Sequence, residues 1–299
     1  MKNVFTVIIT THNRLEELKI SLKALENIIS RKDVECILCD DGSNDGTFNY
    51  INNTYPEIQI IANRRSQGLI YSRNKLMNLA KGKYVISLDD DFNFLTSNVL
   101  ENIESHFLLN DKCTVLGFRI FWGKEAPLSI KSEEESIRMK SFVGCGHAWR
   151  LEQWRKLPNY PSWFIFYGEE DYMSFHIFKN GLEVHYLPSV LGHHRVDIRS
   201  RKQNNDYLLR TRRSLRSGWY LYAMFYPKRL VFKKITYSIY AQFKNKIIKG
   251  DYRVAFALCQ ALLDLILNTP KLIRNREGLS IKEFEEFCNL SDTKIYWKP

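Results

Sequence analysis

The first 95 residues alternate between two hydrophobic periods, and few folds accept such an alternation. "VFTVIITTH" is a continuous apolar, β-branched run, the pattern of a strand buried on both faces. "RLEELKISLKALENII" then sets Leu15, Leu18, Leu22, Leu25 and Ile29 at helical spacing. "VECILCDDGS" predicts a second strand, "DGTFNYINNTY" a helix and "IQIIANR" a third strand. "LIYSRNKLMNLAKG" predicts a helix stopped at Gly82, and "KYVISLDDD" a fourth strand. Strand and helix in strict turn imply an α/β protein with a Rossmann-like, mostly parallel central sheet flanked by helices. Ligands in such sheets bind beyond the carboxyl ends of the strands. Three predicted strands end in polar residues: Thr10-Thr11-His12-Asn13, Asp40-Asp41-Gly42-Ser43 and Asp89-Asp90-Asp91. These ends are expected to converge on one crevice.

The triplet Asp89-Asp90-Asp91 sets three like charges directly after an apolar run. Side chains alternate along a strand, so Asp89 and Asp91 are expected on one side and Asp90 on the other. Two carboxylates facing one way suit Mg²⁺ or Mn²⁺, which typically bind through one or two carboxylates plus substrate phosphates.

From about 97 to 195 the patterns are mixed. A helix "SNVLENIESHFLLN" and a strand "CTVLGFRIFW" precede a polar, acidic stretch, 129–141, expected to be a mobile loop. "SFVGCGHAWRLEQWRKL" predicts strand, glycine-rich turn and helix. A further helix stops at Gly181, and the strand after it ends at His193-His194. The last third is predicted to be largely helical, and the charge divides there too. Residues 1–198 hold 23 Lys/Arg against 25 Asp/Glu, and residues 199–299 hold 21 against 8. The most apolar run, "AFALCQALLDLIL", is interrupted by Gln260 and Asp264, so no transmembrane helix is expected. Cys36 and Cys39 have a redox or zinc spacing, but on one strand they face opposite sides, which favours a structural role. Reduced thiols and an N-terminus without the shape of a signal peptide point to the cytoplasm.

Five blocks, in order, resemble the GT-A glycosyltransferases, specifically the family-2-like group of inverting enzymes. They are "VIITTHNR" (7–14), "CDDGSNDGT" (39–47), "QGLIYSRN" (67–74), "GKYVISLDDD" (82–91) and "GEEDYMSFHIFKNG" (168–181), followed by a His after the last strand. The resemblance covers roughly residues 3–197. It implies a GT-A domain over 1–198, with a nucleotide-sugar half at about 1–95 and an acceptor half at about 96–198, and leaves 199–299 as a basic helical region. The implied activity, with Mn²⁺ or Mg²⁺, moves a sugar from a nucleoside-diphosphate sugar to a hydroxyl of a glycan or lipid-linked acceptor. Its expected setting is the synthesis of a bacterial-type surface polysaccharide or glycoconjugate.

By matching position, the resemblance assigns Thr11, Asn13 and Arg14 to the nucleoside and Asp41 to the nucleobase. Arg73 faces nucleotide or diphosphate, and Asp89 the ribose or sugar, with Asp90 beside it. Asp91 is the implied metal ligand, and one of His193 and His194 completes the metal or diphosphate site. Phe92 stands where many relatives carry another acid. The implied base, which takes the acceptor's proton, is Glu170 or Asp171. Counting back from His176 and Gly181 selects Glu170, although His176 replaces a more usual Arg. On the acceptor side Gly144 and Gly146 allow close approach, and Trp149, Trp154 and Trp163 are candidates to stack on sugar faces.

The basic last third interleaves Arg and Lys with Trp, Tyr and Phe. It fits a peripheral helix on an anionic membrane, or a packing or oligomerisation segment. No nucleic-acid module accompanies it, so no nucleic acid partner is expected. Two other functions compete. A nucleotidyltransferase on a related sheet would carry a glycine- and basic-rich phosphate loop near the first strand, which "TTHNRLEE" lacks. A non-catalytic polyanion- or membrane-binding protein would rest on the basic third alone.

Overall fold

The computed structural model of the chain describes residues 4–197 and 205–299; the opening of the basic stretch, 199–204, lies outside them. The alternation of the first 95 residues is realised as β1 (Phe5–Thr11), α1 (Leu15–Ile29), β2 (Val34–Asp40), α2 (Thr47–Thr54), β3 (Ile58–Ala62), α3 (Leu69–Leu79) and β4 (Tyr84–Asp89). Strands β1 to β4 run parallel, and in register Thr10 lies opposite Asp89 and Thr11 opposite Asp40. The three polar ends therefore stand at one height.

Beyond β4 the sheet turns mixed. Its order is β3-β2-β1-β4-β8-β6-β9-β5, with β7 on β9. Strand β8 (Gly146–Arg150) is antiparallel to β4 and to β6 (Cys113–Trp122), whereas β6 is parallel to β9 (Glu183–His194). Two three-residue strands, β5 (Phe92–Phe94) and β7 (Ile137–Met139), pair antiparallel with β9. Strand β7 falls inside the stretch expected to be a mobile loop, and its pairing with β9 orders that part of it.

Strand β5 explains the departure at Phe92. The Phe92 ring is fully buried over two glycines: a Cβ at Gly192 would lie 1.9 Å from it, and one at Gly146 2.4 Å. An acid here would be buried without a partner. The fit also sets the β5–β9 register, with Phe92 opposite His194, and so returns His194 to the aspartate triplet.

The two sheet faces carry separate cores. Leu18, Leu22 and Leu25 of α1 pack on one with Cys36 and α4 (Val99–Leu109), and α3, Trp149, α5 (Leu151–Trp154) and α6 (Glu169–Lys179) on the other with Cys39. The cysteines thus face opposite sides, as the strand spacing requires. After residue 205 come α7 (Tyr207–Phe225), α8 (Lys228–Gln242), α9 (Arg253–Arg274) and α10 (Ile281–Cys288). Tyr220, Leu221, Met224 and Phe225 of α7 share one core with Tyr172, Met173 and Phe175 of α6. Burial of each such side chain contributes roughly 1.5–3 kcal/mol.

Among the described residues α9 alone is long and apolar enough, by length and composition, to cross a membrane. Its interrupting Asp264 is buried and accepts hydrogen bonds from Arg212 Nε (2.7 Å) and Nη2 (2.6 Å), which ties α9 to α7.

Candidate active site

At the carboxyl ends of β1, β2 and β4, Asp89, Asp91 and His194 offer ligand atoms that all lie within 4.8 Å of one another. His194 Nε2 lies 3.0 Å from Asp91 Oδ1, and Arg14 Nη2 donates to Asp91 Oδ2 at 2.7 Å. Asp90 turns to the other side. Its Oδ2 accepts from Thr11 Oγ1 (2.8 Å), its Oδ1 pairs with Arg14 Nη1 (3.1 Å), and its carbonyl accepts from Ser21 Oγ (2.7 Å). Asp89 pairs with Arg73 Nη2 at 2.9 Å. Positive charge for the triplet thus arrives from Arg14, just before α1, and from Arg73 of α3, while His194 of β9 sets its imidazole against Asp91.

These surroundings pull the acids apart electrostatically. Burial opposes ionisation of Asp91, yet His194 and Arg14 bring its pKa down to about 2. Burial pushes Asp90 up to about 7 despite Arg14, so Asp90 is largely protonated below neutrality. Burial also raises Asp89, against the pull of Arg73 and His194. The cluster suits a divalent cation in another respect. Asp91 Oδ1, His194 Nδ1 and Thr10 Oγ1 are buried and lack an aligned hydrogen bond. Two carboxylates and an imidazole form a donor set that Mn²⁺ accepts.

His193 does not join this cluster. As its neighbour's opposite on the strand it faces away, with Nε2 2.8 Å from the carbonyl of Gly123. The strand alternation requires one histidine to turn out, and the β5–β9 register selects which.

A cleft of about 840 Å³ opens beside the triplet, walled by Thr10, Thr11, Arg14, Asp41, Gly68 and His194 among others. Asp41 reaches this wall, but not as an unoccupied acceptor. Its carboxylate accepts from Asn63 Nδ2, Ser66 Oγ, Gln67 N, Gly68 N and Ser72 Oγ at 2.7–3.1 Å. It anchors the loop 63–68, and a base N–H would have to displace one of these donors. Asn13, expected at the nucleoside, lies outside the cleft wall. It adopts φ 53°, and its Oδ1 accepts from Asn44 N at 2.8 Å. The α1 terminus is capped from another loop, with Leu15 N donating to Asp45 Oδ2 at 2.9 Å.

Arg73, expected to face nucleotide or diphosphate, is 1% exposed and stands behind Asp89, off the cleft wall. Nη1 lies 3.5 Å from Glu169 Oε1, and Nη2 donates to the Gly144 carbonyl at 3.2 Å as well as to Asp89. Removing one partner from a buried pair of this kind costs about 3–5 kcal/mol. Arg73 therefore joins the aspartate triplet to the first turn of α6.

That turn carries Glu169, Glu170 and Asp171, where the helix dipole favours acids. Glu169 is buried against Arg73, and Asp171 is exposed. Glu170 lies between them in accessibility, with its carboxylate seated on Gly144. A Cβ there would lie 2.0 Å from Oε1. Burial, then Glu169, hold the Glu170 carboxyl well above the ordinary carboxylate range, with Arg73 opposing them.

The tryptophans are not open stacking surfaces. Trp149 and Trp154 pack in the core at 4.9 Å between centroids, and Trp149 Nε1 donates to Tyr160 Oη at 3.1 Å. Trp163 is half-buried against Tyr220 (5.2 Å), with Lys271 Nζ 4.5 Å from its ring centroid. Sequence patterns cannot distinguish a buried indole from an exposed one.

Among the cleft residues that escaped the sequence reading are Lys124, Phe166, Arg210 and Arg213. The last two come from α7, whose charges read as a basic surface. α7 also grips the segment before α6. Arg216 donates to the Phe164 carbonyl, Ser217 Oγ to the Phe166 carbonyl (3.4 Å), and Arg210 Nη1 to Tyr167 Oη (3.4 Å). Ile165 (φ 70°) and Tyr167 (φ 72°) hold left-handed backbone that side chains disfavour, so this loop is kept in shape by its surroundings.

Comparison with known proteins places these features in context. The model of Glycosyl transferase family 2 matches residues 6–168. The UDP-Glc:alpha-D-GlcNAc-diphosphoundecaprenol beta-1,3-glucosyltransferase WfaP of Escherichia coli is 35% identical over 82 residues, 27% of this chain and 32% of that protein. The uncharacterized glycosyltransferase YfnE of Bacillus subtilis (strain 168) is 30% identical over 103 residues, 34% of this chain and 26% of that protein. The chain spans about a third and about a quarter of the lengths of these two relatives. Among solved structures, mannosyltransferase PcManGT from Pyrobaculum calidifontis in complex with GDP-Man and Mn²⁺ aligns with TM-score 0.57 and 16% identity, over 96% of this chain and 79% of that one. GalNAc-T7 with UDP, GalNAc and Mn²⁺ aligns with TM-score 0.53 and 18% identity, over 64% and 43%. These likenesses show the GT-A fold, followed here by the helices α7 to α10.

Proposed function

The chain belongs to glycosyl transferase family 2, and we propose that it is a metal-dependent, inverting enzyme that moves a sugar from a nucleoside diphosphate to a hydroxyl of a glycan or lipid-linked acceptor. The observation that carries this reading is the Asp89–Asp91–His194 cluster beside the cleft at the strand ends. These three residues would hold Mn²⁺ or Mg²⁺, which when bound supplies Lewis-acid stabilisation of a diphosphate leaving group. The nucleoside lies along the wall of Thr10, Thr11 and the loop that Asp41 anchors. Arg14 bridges Asp90 and Asp91 and fixes the Asp91 carboxylate beside His194.

Glu170 is the base. It takes the proton from the acceptor hydroxyl as that oxygen bonds to the anomeric carbon and the nucleoside diphosphate departs from the opposite face. A carboxyl with a raised pKa is matched to that task. Arg73, tied to Asp89, Gly144 and Glu169, keeps donor and base sides in fixed relation.

A thermal-shift screen tests the reading, using UDP, GDP and dTDP, each with and without Mn²⁺. One nucleotide is expected to raise the melting temperature only with the metal. No shift with any of them would remove the proposal.

The acceptor's setting is proposed from the helices. Among the described residues, eleven of the 23 exposed large hydrophobics fall between Phe232 and Ile273, beside the exposed Lys233, Lys234 and Lys244. Such a surface suits the anionic face of a membrane, where apolar contact and charge add. Vesicle co-sedimentation is expected to show binding to anionic vesicles that high salt releases. Equal binding to neutral vesicles would defeat the electrostatic part.

A further inference from the structure

The cleft has an acidic floor and a basic roof, and the floor is neutralised from within by Arg14 and Arg73. The roof is different. Arg210 and Arg213 stand three residues apart on one face of α7 and line the cleft, with Lys124 also on its wall. The neighbours of Arg213 on α7 already have protein partners. Arg210 Nε donates to Asp206 Oδ2 at 2.5 Å, Arg212 grips Asp264, and Arg216 lies 3.8 Å from the same Asp264.

Arg213 is half-buried and, among the described residues, makes no hydrogen bond or ion pair with the protein. Burial disfavours its charge first, and Arg216, Arg210 and Arg212 add repulsion that Asp206 only slightly relieves. A guanidinium does not shed its proton in a protein, so a bound anion is what offsets this cost.

We propose that Arg213, with Arg210 and Lys124, forms an oxyanion subsite that receives a phosphate group of a substrate on the cleft wall contributed by α7. The five donors of a guanidinium match two phosphate oxygens at once. Arg210 and Arg213 lie outside residues 6–168, so they are a contribution of this chain's own C-terminal helices to the cleft, which Lys124 joins from within the matched range. Its source rests on the glycosyl-transfer reading: the phosphate is either the donor's diphosphate or one carried by the acceptor.

Calorimetry on the full chain separates these outcomes. Inorganic pyrophosphate is titrated, with Mn²⁺ present, into protein that is free and into protein saturated with whichever of UDP, GDP or dTDP it binds. Arg213→Ala and Arg213→Gln are expected to weaken pyrophosphate about tenfold or more in one of the two titrations, at unchanged melting temperature. Arg213→Lys is expected to recover part of the loss, which a packing defect would not show.

A loss in the free protein, matched by an equal loss for the nucleotide, assigns the subsite to the donor's diphosphate. A loss confined to the saturated protein assigns it to the acceptor's phosphate. Pyrophosphate binding that is the same in wild type and variants in both titrations overturns the subsite, as does no binding by the wild type in either. If no nucleotide binds while free-protein pyrophosphate binding depends on Arg213, the subsite stands and the glycosyl-transfer reading fails.

Discussion

Asp91→Ala is expected to abolish the Mn²⁺-dependent thermal shift and to lower sugar transfer on the order of a thousandfold, the equivalent of several kcal/mol of lost charge stabilisation. Asp91 is the aspartate that meets both His194 and Arg14, and it is held in its charged form. Its removal also takes from the buried side of Arg14 one of its two carboxylate partners, which destabilises the fold. Asp91→Asn keeps the shape and separates the two effects: the shift is lost although the protein stays folded. Asp90→Asn is the contrast. Asp90 faces Thr11 and lies outside the cluster, so the metal-dependent shift is expected to persist. A full Mn²⁺ response in Asp91→Ala would show that the cluster is not the metal site.

Glu170→Gln is expected to lower turnover about 10²–10⁴-fold while leaving nucleoside diphosphate and Mn²⁺ binding unchanged. The base acts only when deprotonated, and its pKa is raised. Activity should therefore fall as pH drops through a limb lying above the ordinary carboxylate range, and the glutamine variant should lack that limb. Gly144→Ala provides a second measurement without touching the acid. Its new methyl must push the Glu170 carboxylate aside, so a comparable loss is expected with the carboxylate still present. If Asp171→Asn carries the large loss and Glu170→Gln does not, the base is the next residue along.

The alternating first half of the sheet was legible because each strand and helix is long enough to show its period. The polar strand ends gave the crevice its position for the same reason. Strands β5 and β7, at three residues each, are too short for any period, and the glycine seat that holds Phe92 is assembled from β8 and β9. Asp41 and Arg73 stood in the right neighbourhood, but their partners come from other segments. Arg73 meets Glu169 96 residues away, and Asp41 is claimed by donors on the loop 63–68 and on α3. Charge asymmetry is a sum over a segment, so it flagged the basic third without saying that Arg213 points into the cleft. Trp149 shows the converse limit, since an indole in a core and one on a surface have the same letter.

The shared core of α6 and α7 bears on how such a chain is inherited. Phe225 stacks on Phe175 at 4.7 Å, and Arg216 holds the loop that leads into Glu170. A recombination event near residue 200, where the charge changes sign, would separate halves that are packed as one. To trade its last helices for another set, a lineage would have to exchange residues 162–178 with them. The last helices and the first turn of α6 are therefore expected to vary together between lineages, as one heritable block.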